Sequence, residues 1–361
     1  MKTPRRAGAL AAATAVTATL ALAPAGVATA GIVADPITYS ADDAALTLTP
    51  VGSYESGVFD ASAAEIVKAY GDRLFVVNAQ AGAVDVLDYA DPTAPAKVHT
   101  LTSAGVANSI AIREDGLGVV AFEAPTKTDA GTLVFFDANA ATPSVLGTVT
   151  VGALPDMVAI SADGAYAVVA NEGEPADDFS ADPEGSVGIV ALPGIVAAPA
   201  QEAVRIATFH AFEEGGSKPL PEDVRVFGPA PEADFPVSRN LEPEYVTISG
   251  TTAYVALQEA NAVAVVDIAA AEVTDILPLG FQDHGVVPLD PSDRDPRDAP
   301  TYNPRTFAGL KGIYMPDGME SYQAGGQTYL VTANEGDARE WGDYVEPVRA
   351  KDLAADGLGP V

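Results

Sequence analysis

Glu123, Glu172, Glu259 and Glu335 each close a short run of alanine and β-branched residues, and the runs are copies of one another: Gly118-Val119-Val120-Ala121-Phe122, Ala167-Val168-Val169-Ala170-Asn171, Tyr254-Val255-Ala256-Leu257-Gln258 and Tyr329-Leu330-Val331-Thr332-Ala333-Asn334. Aligning the copies puts these glutamates at one position, the end of a second strand. The first strands of the copies open on Glu65, Ser109, Asp156, Glu244 and Asp317. Strands one and two of a hairpin run antiparallel, so the start of one and the end of the next share a face. Carboxylates gathered on one face repel unless something neutralises them. A donor set of hard oxygens without cysteine or paired histidine suits Ca²⁺ first and Mg²⁺ second.

The loops after the repeated Asn-Glu-Gly extend that chemistry. Asn171-Glu172-Gly173-Glu174 is followed by Asp177, Asp178, Asp182 and Glu184, and Asn334-Glu335-Gly336-Asp337 by Glu340 and Asp343. Asp290, Asp293, Asp295 and Asp298 are spaced closely enough for one loop to wrap a cation. None of these matches the EF-hand spacing, so the signal is compositional. A solvated acidic surface, with each repeated glutamate satisfying turn amides, is the competing reading. The shared register favours metal, and the expected ligands are Glu123, Glu172, Glu174, Asp177, Asp178, Glu259, Asp293, Asp295, Glu335 and Asp337.

Other reactive types are sparse. His210 beside an acidic loop and His284 beside Asp283 could serve as a base or a ligand, or as ordinary surface residues. No Gly-x-Ser-x-Gly nucleophile elbow accompanies them. Arg239, Arg294, Arg297, Arg305 and Arg339 fall in inserts or face loops. Arginine kept among carboxylates either grips an anionic ligand group such as phosphate or pairs with its acidic neighbour. Arg294 and Arg339 are the candidates for ligand contact. Trp341 and Tyr344 could stack on a sugar or a peptide, or pack a blade edge.

The elements that must position these residues emerge from the same repeat. Copies beginning at residues 65, 109, 156, 244 and 317 consist of β-branched runs separated by turns containing Gly, Asp or Asn, which reads as consecutive hairpins. Spacings of 44 and 47 residues between the first three match a four-stranded propeller blade. The longer later gaps hold inserts at about 212–241 and 283–305. An all-β propeller is therefore expected over residues 45–361, ahead of a β-sandwich or a solenoid, with the first strand of each blade lining the central channel. Five blade starts are visible, whereas a complete chain would hold about seven. An open propeller leaves a sheet edge bare, so truncation at the C-terminus is the expectation.

Composition excludes several classes. The 361 residues are 48% hydrophobic, too apolar for wholesale disorder. The absence of cysteine rules out a disulfide framework or a thiolate metal site, and three histidines make a multi-His zinc site unexpected. A formal charge of −31 repels phosphate backbones, which argues against nucleic acid.

The N-terminus reads as an address. Lys2, Arg5 and Arg6 precede an apolar run from Ala7 to Ala23, then Pro24, Gly26 and the small residues Ala28-Thr29-Ala30. That is the plan of a secretory signal peptide over 1–30, followed by a linker over 31–44. Seventeen residues diluted by threonine are short for a membrane anchor. The Arg5-Arg6 pair also permits a twin-arginine signal, though Ala7-Gly8-Ala9 carries little else of that pattern. Cleavage removes three basic and no acidic residues, deepening the charge to −34. No later stretch is long and apolar enough to span a bilayer, and the mature chain is expected to be secreted or at the cell surface.

Several stretches also resemble the choice-of-anchor I family of secreted bacterial proteins: Asp223-Val224-Arg225-Val226-Phe227-Gly228-Pro229, Leu241-Glu242-Pro243-Glu244-Tyr245-Val246, Leu257-Gln258-Glu259-Ala260-Asn261-Ala262, Val265-Val266-Asp267, Ser292-Asp293-Arg294-Asp295 and Tyr329 to Arg339. The likeness covers most of residues 45–353. It implies a β-propeller akin to mesenchyme-specific cell-surface glycoproteins, in a family whose members end in various surface anchors and some of which carry an alkaline phosphatase label. It supplies no catalytic residues. Two functions are then expected: a Ca²⁺-stabilised binding or adhesion module for an extracellular protein, a glycan or a phosphorylated small molecule, and, as the alternative, a Ca²⁺-dependent phosphoesterase whose face carboxylates hold the metal that activates water.

Overall fold

A computed structural model describes residues 43–46, 48–226, 236–291, 297–349 and 352. The signal peptide falls outside the described residues, as do most of the linker, Asp293, Arg294 and Asp295.

Alternating β-branched runs and tight turns fold as the repeat demands. The first blade is β1 (Val67–Tyr70), β2 (Arg73–Asn78), β3 (Ala83–Asp88) and β4 (Ala96–Thr102). The second is β5 (Ala107–Ile112), β6 (Leu117–Phe122), β7 (Ala130–Asp137) and β8 (Val145–Ala153). The third is β9 (Pro155–Ile160), β10 (Tyr166–Asn171), β11 (Ser186–Ala191) and β12 (Val204–Thr208), and the fourth β13 (Pro243–Ser249), β14 (Thr252–Leu257), β15 (Ala262–Asp267) and β16 (Glu272–Pro278). Each is an antiparallel sheet with its strands in chain order. Short hairpins come after them: β17 (Phe281–Asp283) with β18 (Lys311–Ile313), β19 (Pro316–Ala324) with β20 (Gln327–Asn334), and β21 (Glu340–Trp341) with β22 (Tyr344–Val345). No α-helix occurs among the described residues.

The first strands stand side by side, β1 by β5, β5 by β9, β9 by β13 and β13 by β19. The β19–β20 pair thus occupies the place of a fifth blade. Apolar side chains fill the gap between successive blades: Phe75, Val84 and Ile110 between the first and second, Val119, Val149 and Val169 between the second and third, Ile189, Val246 and Val255 between the third and fourth. Burial on both faces explains the continuous Val/Ala/Ile runs of the middle strands. These are β-propeller blades packed face to face around a line of first strands.

The inserts fall where the long gaps place them. In the first, Glu213 reaches across to accept hydrogen bonds from the amides of Val237 (2.7 Å) and Ser238 (2.9 Å). The second leaves β17 and returns through β18, pinned by a bridge between Leu289 and Arg305. The Asp290 carboxylate inside it accepts from the amide of Asn303 at 2.7 Å.

Candidate functional site

Four of the five first strands begin with the same irregularity. Ala107, Pro155, Pro243 and Pro316 pair with Phe122, Asn171, Leu257 and Asn334, and the register then slips before regular pairing resumes. The slipped residues are Asn108, Asp156-Met157, Glu244-Tyr245 and Asp317-Gly318. A bulge frees its residues from the ladder and re-aims their side chains. In three blades it carries a carboxylate. Proline suits the opening position, because a strand's first residue can forgo a ladder donor.

The same pairing fixes the residue after each second strand. Glu123, Glu172 and Glu335 come next after Phe122, Asn171 and Asn334, and their amides donate to the carbonyls of Val106 (3.0 Å), Leu154 (2.9 Å) and Met315 (3.2 Å), each just ahead of a first strand. Leu154 and Met315 adopt left-handed backbone, φ 45° and 40°. Such strain persists only where the surroundings impose it, and it gathers at functional sites. Gly173 and Gly336 come next at φ 76° and 77°, so the Asn-Glu-Gly triplet is a strand end, an acid and a left-handed exit.

This pairing corrects the sequence alignment twice. Leu257 pairs with Pro243, so Gln258 occupies the position of Glu172 and Glu335, and Glu259 lies one residue further on. Likewise Asn108, rather than Ser109, matches Asp156. Pattern matching slid one residue along the run from Tyr254 to Gln258, because only the pairing shows that this strand ends at Leu257. Glu259 still belongs to the group: Gln258 Nε2 donates to Glu335 Oε2 at 3.3 Å, and the Glu259 and Glu244 carboxylates feel each other.

Electrostatics binds these groups into one cluster. Burial pushes the Asp156 carboxyl up to about 7, aided by Asp317, Glu174 and Glu123. Glu172 is raised well above its ordinary range by burial and then by Glu174, Glu244, Asp156 and Glu242, and Glu244 by burial and then by Glu259, Asp156, Asp317 and Glu242. Burial lifts Glu259 to about 7 against the pull of Arg339. Asp317 and Glu123 rise more modestly, burial again leading. The Tyr245 phenol, in the fourth-blade bulge, is pushed to about 12 by burial and by Asp317, Asp156, Glu244 and Glu65. Asp156, Glu172 and Glu244 are half-buried and keep partial solvent contact.

Two cations enter the cluster. Lys127 pairs with Glu174 at 2.7 Å. Arg339, 2% exposed, donates through Nε to Glu242 Oε2 at 3.0 Å and through Nη2 to the Asn240 carbonyl at 2.5 Å. Burial lifts the Glu242 carboxyl above its ordinary range while Arg339 opposes it. A guanidinium keeps its charge at any accessible pH. Arg339 is therefore placed as an internal counterion, with its fork turned to protein oxygens. Glu259 Oε2 is buried with no hydrogen-bond partner.

Of the ten expected metal ligands, Glu123, Glu172, Glu174, Glu259, Glu335 and Asp337 lie in this mutual field. Asp177 and Asp178 do not; they are exposed on the loop beyond it. Asp293 and Asp295, with Arg294, lie outside the described residues. The expected set omitted Asp156, Glu244 and Asp317, which the chain marks by a Pro-acid dipeptide at three of the five first-strand starts, and Glu242, which carries no repeat signal. His210 meets Glu184 at 2.6 Å on the surface, and His284 Nδ1 contacts the Val287 carbonyl at 3.0 Å, so both serve local structure. Among the described residues, no three acidic or histidine side chains converge closely enough to cage an ion as they stand. The fit to a hard cation thus rests on donor chemistry and on the orphaned Glu259 oxygen.

Solved structures with similar shape include a Lactobacillus plantarum protein (15% identity, TM-score 0.40, covering 58% of this chain and 57% of that one). Another is the Cps50 (Swd1) β-propeller domain of Myceliophteria thermophila (8% identity, TM-score 0.36, 58% and 57%), and a third is Kuenenia stuttgartiensis hydrazine synthase (14% identity, TM-score 0.36, 55% and 50%). The chain thus spans between half and three-fifths of the length of these structures. No curated protein matches it. A family model for the choice-of-anchor I domain matches residues 65–360, the whole of the bladed region with its inserts. The chain belongs to the choice-of-anchor I family.

Proposed function

We propose that this protein is a cation-stabilised β-propeller binding or adhesion module working outside the cell, with Ca²⁺ the expected ion. Family membership points to an extracellular or cell-surface protein, and no helix among the described residues is long and apolar enough to cross a membrane. The observation that carries the reading is the concentration of mutually repelling carboxylates at the first-strand bulges, with a buried, unpartnered oxygen on Glu259. A buried anion must be paired, protonated or metal-bound. Extracellular millimolar Ca²⁺ is the available partner for weak all-oxygen sites. Glu172, Glu174, Glu244, Asp156 and Glu259 are the residues that would hold it, and a bound ion would supply the positive charge that locks neighbouring blades together.

The phosphoesterase alternative draws on the same carboxylates, since a bound cation can lower the pKa of water. It also needs a cation free to grip phosphate. Arg339 is engaged by Glu242 and Asn240, which favours the binding module.

The test is thermal unfolding of chelator-stripped protein at pH 8, titrated with Ca²⁺ and with Mg²⁺, alongside phosphomonoester turnover at each Ca²⁺ level. A saturable rise in Tm, lost in Glu172→Gln/Glu244→Gln, supports the module. An unchanged Tm through millimolar Ca²⁺ sinks the calcium reading, and Ca²⁺-restored turnover abolished by the same substitutions would promote the enzyme.

A further inference from the structure

The fifth-blade bulge sets up a reaction of the backbone itself. Aspartate followed by glycine cyclises readily, because a residue without Cβ lets its amide nitrogen approach the preceding carboxyl carbon. The chain has four such pairs, Asp115-Gly116, Asp163-Gly164, Asp317-Gly318 and Asp356-Gly357, the last outside the described residues. The other three stand in two different settings.

In the β5–β6 and β9–β10 turns both halves of the pair are occupied. Gly116 and Gly164 donate their amides to the carbonyls of Arg113 (2.9 Å) and Ser161 (2.8 Å). Asp115 accepts from Arg113 through both oxygens, at 2.8 Å each, and from the Leu117 amide at 3.2 Å. Asp163 accepts from Ser161 Oγ at 2.6 Å and from the Ala165 amide at 3.0 Å. Cyclisation at either turn must break these bonds first. Asp317-Gly318 lacks such restraints. Pro316 pairs with Asn334 and Met319 with Thr332, so Asp317 and Gly318 together face Ala333 and neither has a ladder partner of its own. No side chain among the described residues donates to Asp317, and the Gly318 amide itself meets the Asp317 carboxylate. Both residues are half-buried, within reach of water.

We propose that Asp317-Gly318 is a site of isoaspartate formation, converting in the folded protein ahead of the two turn pairs. The Gly318 amide nitrogen attacks Cγ of the Asp317 carboxyl. The N–Cγ bond forms, the Cγ–OH bond breaks, and the hydroxyl leaves as water with the amide proton, closing a succinimide. Water then opens the ring. Addition at Cγ regenerates aspartate, whereas addition at the α-carbonyl carbon routes the main chain through the former side chain and leaves a free carboxylate on Cα. The product lengthens the bulged strand by one methylene and moves the carboxylate whose charge acts on Asp156, Glu244 and Tyr245. The site is thus a slow clock for the acidic cluster. No ion takes part, so the proposal stands apart from the Ca²⁺ reading.

The test ages full-length protein at neutral pH in chelator, folded and in urea, and locates isoaspartate by peptide mapping and mass spectrometry. In folded protein, conversion at Asp317 should run at least about tenfold faster than at Asp115 or Asp163, since giving up two hydrogen bonds there costs about 1–3 kcal/mol. In urea the three rates should converge, because the protection belongs to the fold. Gly318→Ala fits the site, with Ala333 Cβ the nearest atom to the added Cβ at 3.7 Å. By narrowing the conformations open to the attacking amide, it should slow conversion by about tenfold. Asp317→Asn keeps the shape and releases ammonia in place of water, so it should convert faster than the parent. Circular dichroism confirms folding of both variants. Equal rates at the three sites in folded protein overturn the proposal, as does a rate ratio that persists in urea. So does conversion at residue 317 that ignores Gly318→Ala, or an Asp317→Asn variant that stays intact.

Discussion

Two buried acidic environments in this propeller have opposite chemistry. In the first blade, Asp85 is 4% exposed and fully provided for: it accepts from Asn78 Nδ2 at 3.1 Å, from Thr100 Oγ1 at 2.9 Å and from Lys97 Nζ at 2.9 Å. Burial works to raise its pKa, yet the bonds from Lys97, Asn78 and Thr100 together hold it below the usual range. In the central cluster, burial leads in the same way, but the neighbours of Glu172 and Glu244 are further carboxylates, and both rise. The lesson is that depth alone does not make a carboxylate functional. What separates a strut from a site is whether the fold supplies partners.

The largest test of that contrast is Arg339, the cation the cluster keeps at 2% exposure. Breaking a buried ion pair by removing one partner strands the other, at about 3–5 kcal/mol. Arg339→Met should cost less than that at pH 8, about 2–3 kcal/mol in denaturant unfolding, because burial holds Glu242 up at about 8 and it can take a proton once the guanidinium is gone, and the cost should be smaller again at pH 5. A loss below about 1 kcal/mol at pH 8 would mean the pair is not holding the cluster together.

Next comes pH itself. Asp156 and Glu259 titrate near 7 in the folded chain, far above an unfolded carboxyl, so between those values the native state binds more protons. Stability then falls as pH rises through that window. Metal-stripped protein should lose about 5 °C or more in Tm between pH 5 and pH 8, with Ca²⁺ restoring part of it at pH 8. A Tm that rises over that interval, after stripping, would show that these carboxylates do have partners.

Asp85 supplies the reverse case. Asp85→Asn should destabilise by about 1–3 kcal/mol by mismatching donors around a buried group, with no change in the response to Ca²⁺. Its pKa is depressed, so its contribution is present above the unfolded carboxyl value and disappears as pH falls through the folded one. Loss of the Ca²⁺ response in this variant would merge the two environments.

The sequence carried much of this fold and part of the site. The repeated β-branched runs and turn residues identified the blades, because middle strands buried on both faces can tolerate little else. The acidic ends of the second strands were equally plain at Glu123, Glu172 and Glu335. Bulges were not legible, since an extra residue in one strand changes hydrogen-bond pairing without changing the hydrophobic pattern. The misplacement of Glu259 and Ser109 by one residue has another source: all four bulges add a single residue, so only the pairing itself fixes where each strand begins and ends. Arg339 looked like a ligand contact because nothing local announces Glu242, which lies 97 residues earlier.

The smallest effect has the sharpest sign. Replacing a buried, repelled carboxylate by its neutral isostere removes repulsion and keeps the volume, so Glu244→Gln in metal-stripped protein at pH 8 should raise stability by about 1 kcal/mol. At pH 5 the gain should shrink, because burial and the neighbouring carboxylates favour the protonated form of Glu244. Adding Ca²⁺ should invert the ranking, the parent becoming the more stable because only it keeps the full set of oxygen anions for the ion. A structural carboxylate of the Asp85 type cannot give that inversion, since its partners are built in and no ion competes for it. If Glu244→Gln is destabilising with and without Ca²⁺, the fourth-blade bulge is held by contacts that the glutamate itself makes, and the distinction between strut and site fails at its central residue.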